Sequence, residues 1–224
     1  KEGTRRADGP VFLKIGCEEV VQAAMDSDHY NAPLEGPNKG RGVATGFWFN
    51  GGGASTVIAS LNGDGSVSLI EGSTDIGGTR TSIAMQFAEG LGIAAEDIKP
   101  NIADTDSVPH TDGTGGSRVT FATGMAGYKA SQDMLRNLIA RAATIWETSD
   151  EDVKYENGVF SSISDSSNAM TFKELASKAK RNGGTVTGRA SVQANNPGNA
   201  FACVIVDVDV DPDTGKVQIE RATI

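Results

Sequence analysis

The sequence has few thiols, few imidazoles and no long apolar run. Cys17 and Cys203 are the two cysteines in 224 residues, and they stand far apart. With no Cys-x-x-Cys pair, neither a zinc site nor an iron–sulfur site can be read from the chain. Two isolated thiols are the usual buried cysteines of a reducing compartment. That favours a cytoplasmic location and leaves a periplasmic one open. His29 and His110 are equally isolated, and neither has a partner at metal-ligand spacing. No run reaches the ~20 apolar residues of a membrane-spanning helix, and no signal peptide is visible. Positive charge is scarce: 20 Lys and Arg face 29 Asp and Glu, a net charge of -9. Nucleic-acid binding needs a basic face, so that class is excluded. At 22% charged and 38% hydrophobic, the chain is of ordinary globular composition.

What the chain has in excess is glycine, 28 residues, against a usual share of ~7%. The glycines cluster, which points to close backbone approach rather than to flexible linkers. The stretch Gly72-Ser-Thr-Asp-Ile-Gly-Gly-Thr-Arg-Thr-Ser82 lies between a strand pattern, Val67 to Ile70, and a helix pattern, Ser82 to Leu91. Ile83, Phe87 and Leu91 carry the helical spacing there. A glycine turn at a helix N-terminus presents backbone N–H groups to an anion. A second loop, Thr111-Asp-Gly-Thr-Gly-Gly-Ser-Arg118, also runs into a helical stretch. Two such loops predict one phosphate-bearing cofactor held between them.

The remaining elements follow from pattern. Lys1 to Gly9 is an extended lead-in, Cys17 to Met25 a helix, and Asp26 to Arg41 a loop or linker rich in Pro and Gly. Gly42 to Phe49 is a strand broken by Asn50-Gly-Gly-Gly53. Ser55 to Leu61 and Ser66 to Ile70 form a hairpin around Asn62-Gly-Asp-Gly65. Ile98 to Ala103 is a short strand, and Asp104 to Arg118 is a loop whose length suggests function. Thr120 to Trp146 is the longest helix, with Ala126, Ala130, Met134, Leu138 and Ala142 on one face. Val153 to Phe160 makes two short strands, Ser161 to Asn168 a loop, and Thr171 to Lys180 a helix with a Thr171/Glu174 capping box. Thr185 to Val192 is a strand. Ala200 to Val210 and Lys216 to Ile224 form a final hairpin around Pro212-Asp-Thr-Gly215, its first arm a strand in which Val204, Val206, Val208 and Val210 alternate with polar residues that make one wet face. The first residue is not Met, and the last strand pattern stops without a polar tail. The chain therefore reads as a piece of something larger.

Several motifs are weaker than they look. Gly72 to Thr79 is spaced like a P-loop, but Thr79 and Arg80 stand where its lysine belongs. Asp207, Asp209, Asp211 and Asp213 with Glu220 resemble a calcium loop, yet the glycine counted from Asp209 is seventh rather than sixth. Ser117 has no nucleophile elbow around it.

The run Gly42 to Ala130 resembles the molybdenum-cofactor-binding part of the xanthine dehydrogenase and aldehyde oxidase family. The matching pieces are Gly42-Val-Ala44, Asn62-Gly-Asp-Gly-Ser-Val67, Gly72-Ser-Thr-Asp-Ile-Gly77, Asp104-Thr-Asp106, and Gly115-Gly-Ser-Arg118 followed by Gly124. The ordered set carries the likeness, and the final hairpin with Asp211-Pro-Asp-Thr-Gly215 extends it. The resemblance implies an α+β fold of mixed sheets with packed helices. It divides the chain into a lead-in helix and linker (1–41), a cofactor-binding region (42–148) and an α+β region ending in a hairpin (149–224). It implies molybdopterin, in the cytosine dinucleotide form, bound by Ile76, Gly77, Gly78, Thr79 and Arg80 of the first loop and Gly115, Gly116, Ser117 and Arg118 of the second. The implied reaction is hydroxylation of an aldehyde or N-heterocycle with oxygen from water. Electrons would pass to 2Fe-2S centres and FAD on other domains or subunits. The implied general base, a glutamate, lies beyond Ile224, so no catalytic residue is assigned within the chain. The family's Gly-Gln-Gly is here Gly77-Gly78-Thr79, which removes a glutamine contact that Thr79 or Arg80 would replace. Two other readings stay open: an inert piece that completes another subunit's site, and a generic nucleotide-binding domain.

Overall fold

A computed structural model describes residues 2–7, 9–102 and 104–224. In chain order the elements are α1 (Cys17–Met25), α2 (Asp28–Asn31), β1 (Lys39–Trp48), β2 (Gly53–Leu61), β3 (Val67–Glu71) and α3 (Thr79–Leu91). There follow β4 (Ile98–Ile102), α4 (Val119–Trp146), β5 (Val153–Glu156), β6 (Val159–Ser162), β7 (Ala169–Thr171) and α5 (Phe172–Ala179). The chain ends with β8 (Thr187–Ala194), β9 (Ala200–Val210) and β10 (Val217–Thr223). Helices and mixed sheets share the chain, as the α+β reading requires.

These elements group into two units, Lys1–Asn50 with Gly198–Ile224, and Gly51–Pro197. The sequence-based division at 41/42 and 148/149 falls elsewhere. The reason is strand pairing: β1 runs antiparallel to β9 from Lys39↔Asp209 to Trp48↔Ala200, which ties the two ends of the chain together.

The second unit is built on a sheet of order β4-β3-β2-β8. β2, β3 and β8 pair antiparallel, and β3 pairs parallel with β4 across the α3 crossover. Pro100 sits in β4, an edge strand, where a missing N–H costs no ladder bond. α4 lies over this sheet. Its Ala126, Ala130, Met134, Leu138 and Ala142 are all fully buried, so the four-residue spacing marks the core stripe. The packing is close enough that a Cβ on Gly188 of β8 would sit 2.4 Å from the Ala130 carbonyl oxygen. Ile83, Phe87 and Leu91 of α3 join the same core. A smaller sheet, β5-β6-β7, leads into α5. There both arms of the Thr171/Glu174 capping box are formed.

Near this small sheet Asp152 accepts from the Ser162 hydroxyl at 2.6 Å, the Ser164 N–H at 2.8 Å and the Thr148 hydroxyl at 3.0 Å. These donors, Ser162 first, hold its carboxyl at about 2, below the ~3.9 of an unfolded chain. The ionised form is therefore favoured by folding. Its contribution is complete above pH ~4 and is lost as pH falls through the folded value. We predict that Asp152→Asn lowers Tm at pH 6 and that the gap to the unmodified protein closes between pH ~4 and ~2. A gap independent of pH would show that the carboxylate charge is not what matters.

The first unit carries a sheet of order β1-β9-β10 with α1 beside β9. The alternation in β9 runs opposite to expectation. Cys203, Ile205 and Asp207 are buried, while Val204, Val206, Val208 and Val210 are half-exposed. α1 covers the Cys203/Ile205 side, where Val20, Ala23 and Ala24 meet Phe201, Cys203 and Ile205 around a cavity. A buried aspartate on that side is tolerated because Arg41 grips Asp207 at 2.7 and 2.8 Å, and His29 Nε2 lies 3.1 Å from its Oδ2. The Arg41 guanidinium, foremost, holds the Asp207 carboxyl at about 2. The alternating aspartates are thus partly consumed by ion pairing, and Asp211 by its own turn, where it accepts from Thr214 Oγ1 at 2.7 Å. His29, expected in a loop, sits in α2, capped by the Ser27 hydroxyl.

No helix among the described residues is long and apolar enough to cross a membrane.

Candidate functional site

The first glycine loop begins where β3 ends. A Cβ on Gly72 would lie 2.7 Å from the Pro109 carbonyl oxygen, so only glycine lets the chain pass there. Gly77 (φ 64°) and Gly78 (φ 83°) are left-handed, and a Cβ on either would meet nothing within 4 Å. Their backbone faces open space. α3 starts directly at Thr79, three residues earlier than the periodicity predicts, because Gly78 serves as its N-cap. Thr79 and Arg80 are therefore helical rather than loop residues. Thr79 Oγ1 donates to the Thr74 carbonyl at 3.3 Å and accepts from the Ile76 N–H at 3.2 Å. Arg80 donates its N–H to Asp75 Oδ1 at 3.0 Å, and its Nε lies 3.6 Å from Asp75 Oδ2. Asp75 thus occupies one of the free N–H groups of the helix start. Ile76 is an exposed apolar side chain at the crest of the loop.

The second loop is pinned at its entrance. Asp112 donates its N–H to the Ala54 carbonyl at 3.0 Å and accepts from the Ala54 N–H at 2.6 Å. The Ala54 N–H, ahead of His110, lowers the Asp112 carboxyl's pKa. Gly113 and Gly115 again leave their Cβ positions open. Gly116 (φ 62°) and Ser117 (φ 60°) are both left-handed, a conformation costly for serine. The Gly116 carbonyl accepts from Gly51 N–H at 2.5 Å.

Arg118, expected to contact the cofactor, is buried, at 4% exposure. It donates to the carbonyls of Gly52 (2.5 Å), Ala54 (2.6 Å) and Asp112 (2.8 Å), and to Ser55 Oγ at 2.8 Å. A guanidinium surrounded by acceptors on several sides is committed to holding the loop's base. Arg80, by contrast, is half-exposed and paired with Asp75.

The two loops meet. Thr74 Oγ1 donates to Thr114 Oγ1 at 3.0 Å. The helices they open also pack together, with Gly127 admitting Ile83 Cγ2 to 3.3 Å of its would-be Cβ. Sequence reasoning treated Gly51–Gly53 only as a strand breaker. A Cβ on Gly52 would fall 2.1 Å from the Ala194 carbonyl oxygen, and one on Gly53 (φ 101°) would fall 2.4 Å from Asp112 Oδ2. This third glycine cluster builds the floor of the second loop, and three glycines in a row were its signal. Buried polar residues Ser55, Glu71, Ser73 and Thr123 had no such signal.

His110 lies 3.2 Å from Asp112, but it is an exposed pair. Among the described residues no group of three or more His, Cys, Asp or Glu side chains could hold a metal ion. What the site offers is backbone: two bare, left-handed turns, each ahead of a helix. That donor set fits an anionic, phosphate-bearing cofactor better than a metal ion.

The sequence profile of the molybdopterin cofactor-binding domain family matches residues 19–224. Among curated proteins, a putative xanthine dehydrogenase molybdenum-binding subunit of Escherichia coli is 28% identical over 167 residues, covering 72% of this chain and 22% of the relative. Among solved structures, quinoline 2-oxidoreductase from Pseudomonas putida aligns with a TM-score of 0.72 at 18% identity, covering 98% of this chain and 32% of that one. A copper- and molybdenum-containing carbon monoxide dehydrogenase aligns with a TM-score of 0.69 at 24% identity, covering 82% of this chain and 25% of that one. At these identities the structural likeness speaks for the fold. The chain spans about a fifth of the length of the curated relative it matches.

Proposed function

The chain belongs to the molybdopterin cofactor-binding domain family, and from that premise we propose that its two glycine loops together hold one molybdopterin cofactor in a molybdenum-dependent oxidoreductase. The observation that carries this reading is the Thr74–Thr114 contact, which brings two open glycine turns, each starting a helix, into one site. Gly77, Gly78, Gly115 and Gly116 would present backbone N–H groups to the cofactor's phosphates. The positive ends of α3 and α4 add to that attraction. Ser117 would add a hydroxyl, Ile76 an apolar contact, and Thr79 and Arg80 would flank the first turn. An acidic chain of net charge -9 binds an anion in this way because N–H dipoles, not side-chain charge, do the binding. When bound, the cofactor supplies the oxygen-transfer and redox chemistry, and the protein supplies position and electrostatics.

The whole protein's reaction, in this reading, is hydroxylation of an aldehyde or N-heterocycle with oxygen from water. The cofactor is the cytosine dinucleotide form, and 2Fe-2S and FAD centres sit on partner domains or subunits. The general base is a glutamate beyond Ile224. Glu220 is not proposed for that role; its carboxylate is paired with Lys39. The experiment is cofactor analysis of the native protein that carries this chain. Acid hydrolysis is expected to release cytidine monophosphate together with an oxidised, fluorescent pterin. Release of pterin alone would remove the dinucleotide form, and release of neither would remove the proposal.

A further inference from the structure

Beneath the two loops runs a continuous line of buried polar side chains. Arg118, directly after the second loop, donates to Ser55 Oγ at 2.8 Å. Ser55 Oγ lies 2.9 Å from Thr123 Oγ1, and Thr123 Oγ1 lies 2.7 Å from Ser73 Oγ, inside the first loop. Ser73 in turn binds Glu71, whose Oε2 accepts the Ser73 N–H at 2.5 Å and which also interacts with its hydroxyl. Ser55, Thr123, Ser73 and Glu71 are each at most 1% exposed.

The line is anchored at both ends. The Arg118 guanidinium can only donate, and it does so to Ser55, while Glu71 accepts the Ser73 N–H. Between these anchors the hydroxyls of Ser55, Thr123 and Ser73 form an unbroken run of contacts in which each can donate or accept. Burial, foremost, holds the Glu71 carboxyl's pKa above its usual value, against the smaller lowering effect of the Ser73 N–H and hydroxyl.

We propose that Thr123 is a positioning residue whose hydroxyl, as the middle link between Arg118 and Glu71, couples the conformations of the two glycine loops. Thr123 sits in α4, Ser55 in β2, and Ser73 and Arg118 beside the two loops, so the line crosses three parts of the fold. Buried chains of this kind polarise cooperatively, and a missing link leaves its neighbours unsatisfied. The inference rests on the reading of the two loops as one cofactor site. The coupling itself is read from the protein backbone.

The test uses the native protein with Thr123→Val, which keeps the branched shape and removes the hydroxyl, and Thr123→Ser, which keeps the hydroxyl. Amide hydrogen exchange is followed at residues 72–82 and 111–118, with molybdenum content measured in parallel. For Thr123→Val, exchange is expected to rise at least about tenfold in both loops, since the variant removes the contacts to Ser55 and Ser73 and loss of a single buried hydrogen bond already implies about that much. Molybdenum content is expected to fall, and Thr123→Ser should restore both. A rise confined to one loop, or an equal rise in Thr123→Ser, would overturn the coupling. If the unmodified protein holds no molybdenum while both loops respond to Thr123→Val, the coupling stands and the cofactor reading fails. Should Thr123→Val not fold, Ser55→Ala and Ser73→Ala serve instead. Each cuts the same line, so the double variant should exchange no faster than the worse single one. Multiplying effects would contradict a shared line.

Discussion

Gly116→Val is expected to strip molybdenum from the native protein while leaving most of its secondary structure in place. Gly116 has φ 62°, and a β-branched residue there is a steric outlier costing at least ~1–2 kcal/mol. That strain falls on a loop whose carbonyl is already held by the Gly51 N–H. The loop has two ways to respond. It can flip Gly116 to negative φ, which turns its N–H groups away from the site, or it can keep its path and place a valine side chain against the cofactor. Both remove binding. The core formed by β2, β3, α3 and α4 does not include Gly116, so circular dichroism should change little. A variant with full molybdenum content would show that this turn does not line the cofactor.

Arg118→Met is expected to fail in the opposite way, by loss of stability. Methionine fills similar volume but donates nothing. The carbonyls of Gly52, Ala54 and Asp112 and the Ser55 hydroxyl would lose their shared donor inside the protein. Each unsatisfied buried acceptor costs ~1–3 kcal/mol. Even with water replacing some of the bonds, a loss of ~3–5 kcal/mol is expected, which lies in the diagnostic tail for single substitutions. Arg118→Lys should recover only part of it, because an ammonium cannot match the planar fork. Denaturant unfolding checks this. A change under ~1 kcal/mol for Arg118→Met would mean that these bonds are not what holds the loop's base.

The contrast between these two residues shows what the sequence could and could not reveal. Glycine clusters at 72–78 and 113–116 were legible because left-handed turns and close backbone approaches, as at Gly77, Gly78, Gly116 and Gly72, favour glycine. The α4 stripe was legible because helix periodicity is local. So was the Thr171 capping box. The structural part of Arg118 was not legible because its partners, Gly52, Ala54 and Ser55, lie more than sixty residues earlier in the chain. Its position beside a glycine loop suggested an anion, while its neighbours are carbonyls at the start of β2. The valines of β9 misled for a related reason. Alternation tells which residues share a face, but not which face α1 covers. Asp207 on the covered side becomes intelligible only with Arg41 and His29, both supplied by other elements. The α3 start was placed too late because a left-handed glycine N-cap leaves no Ser, Thr, Asp or Asn signature.

The most direct measurement is elemental analysis of the native protein carrying this chain, purified without added metal. Close to one molybdenum per copy of the chain is expected, released together with a pterin on denaturation and lost in Gly116→Val. A fully active native protein with neither molybdenum nor pterin would contradict it.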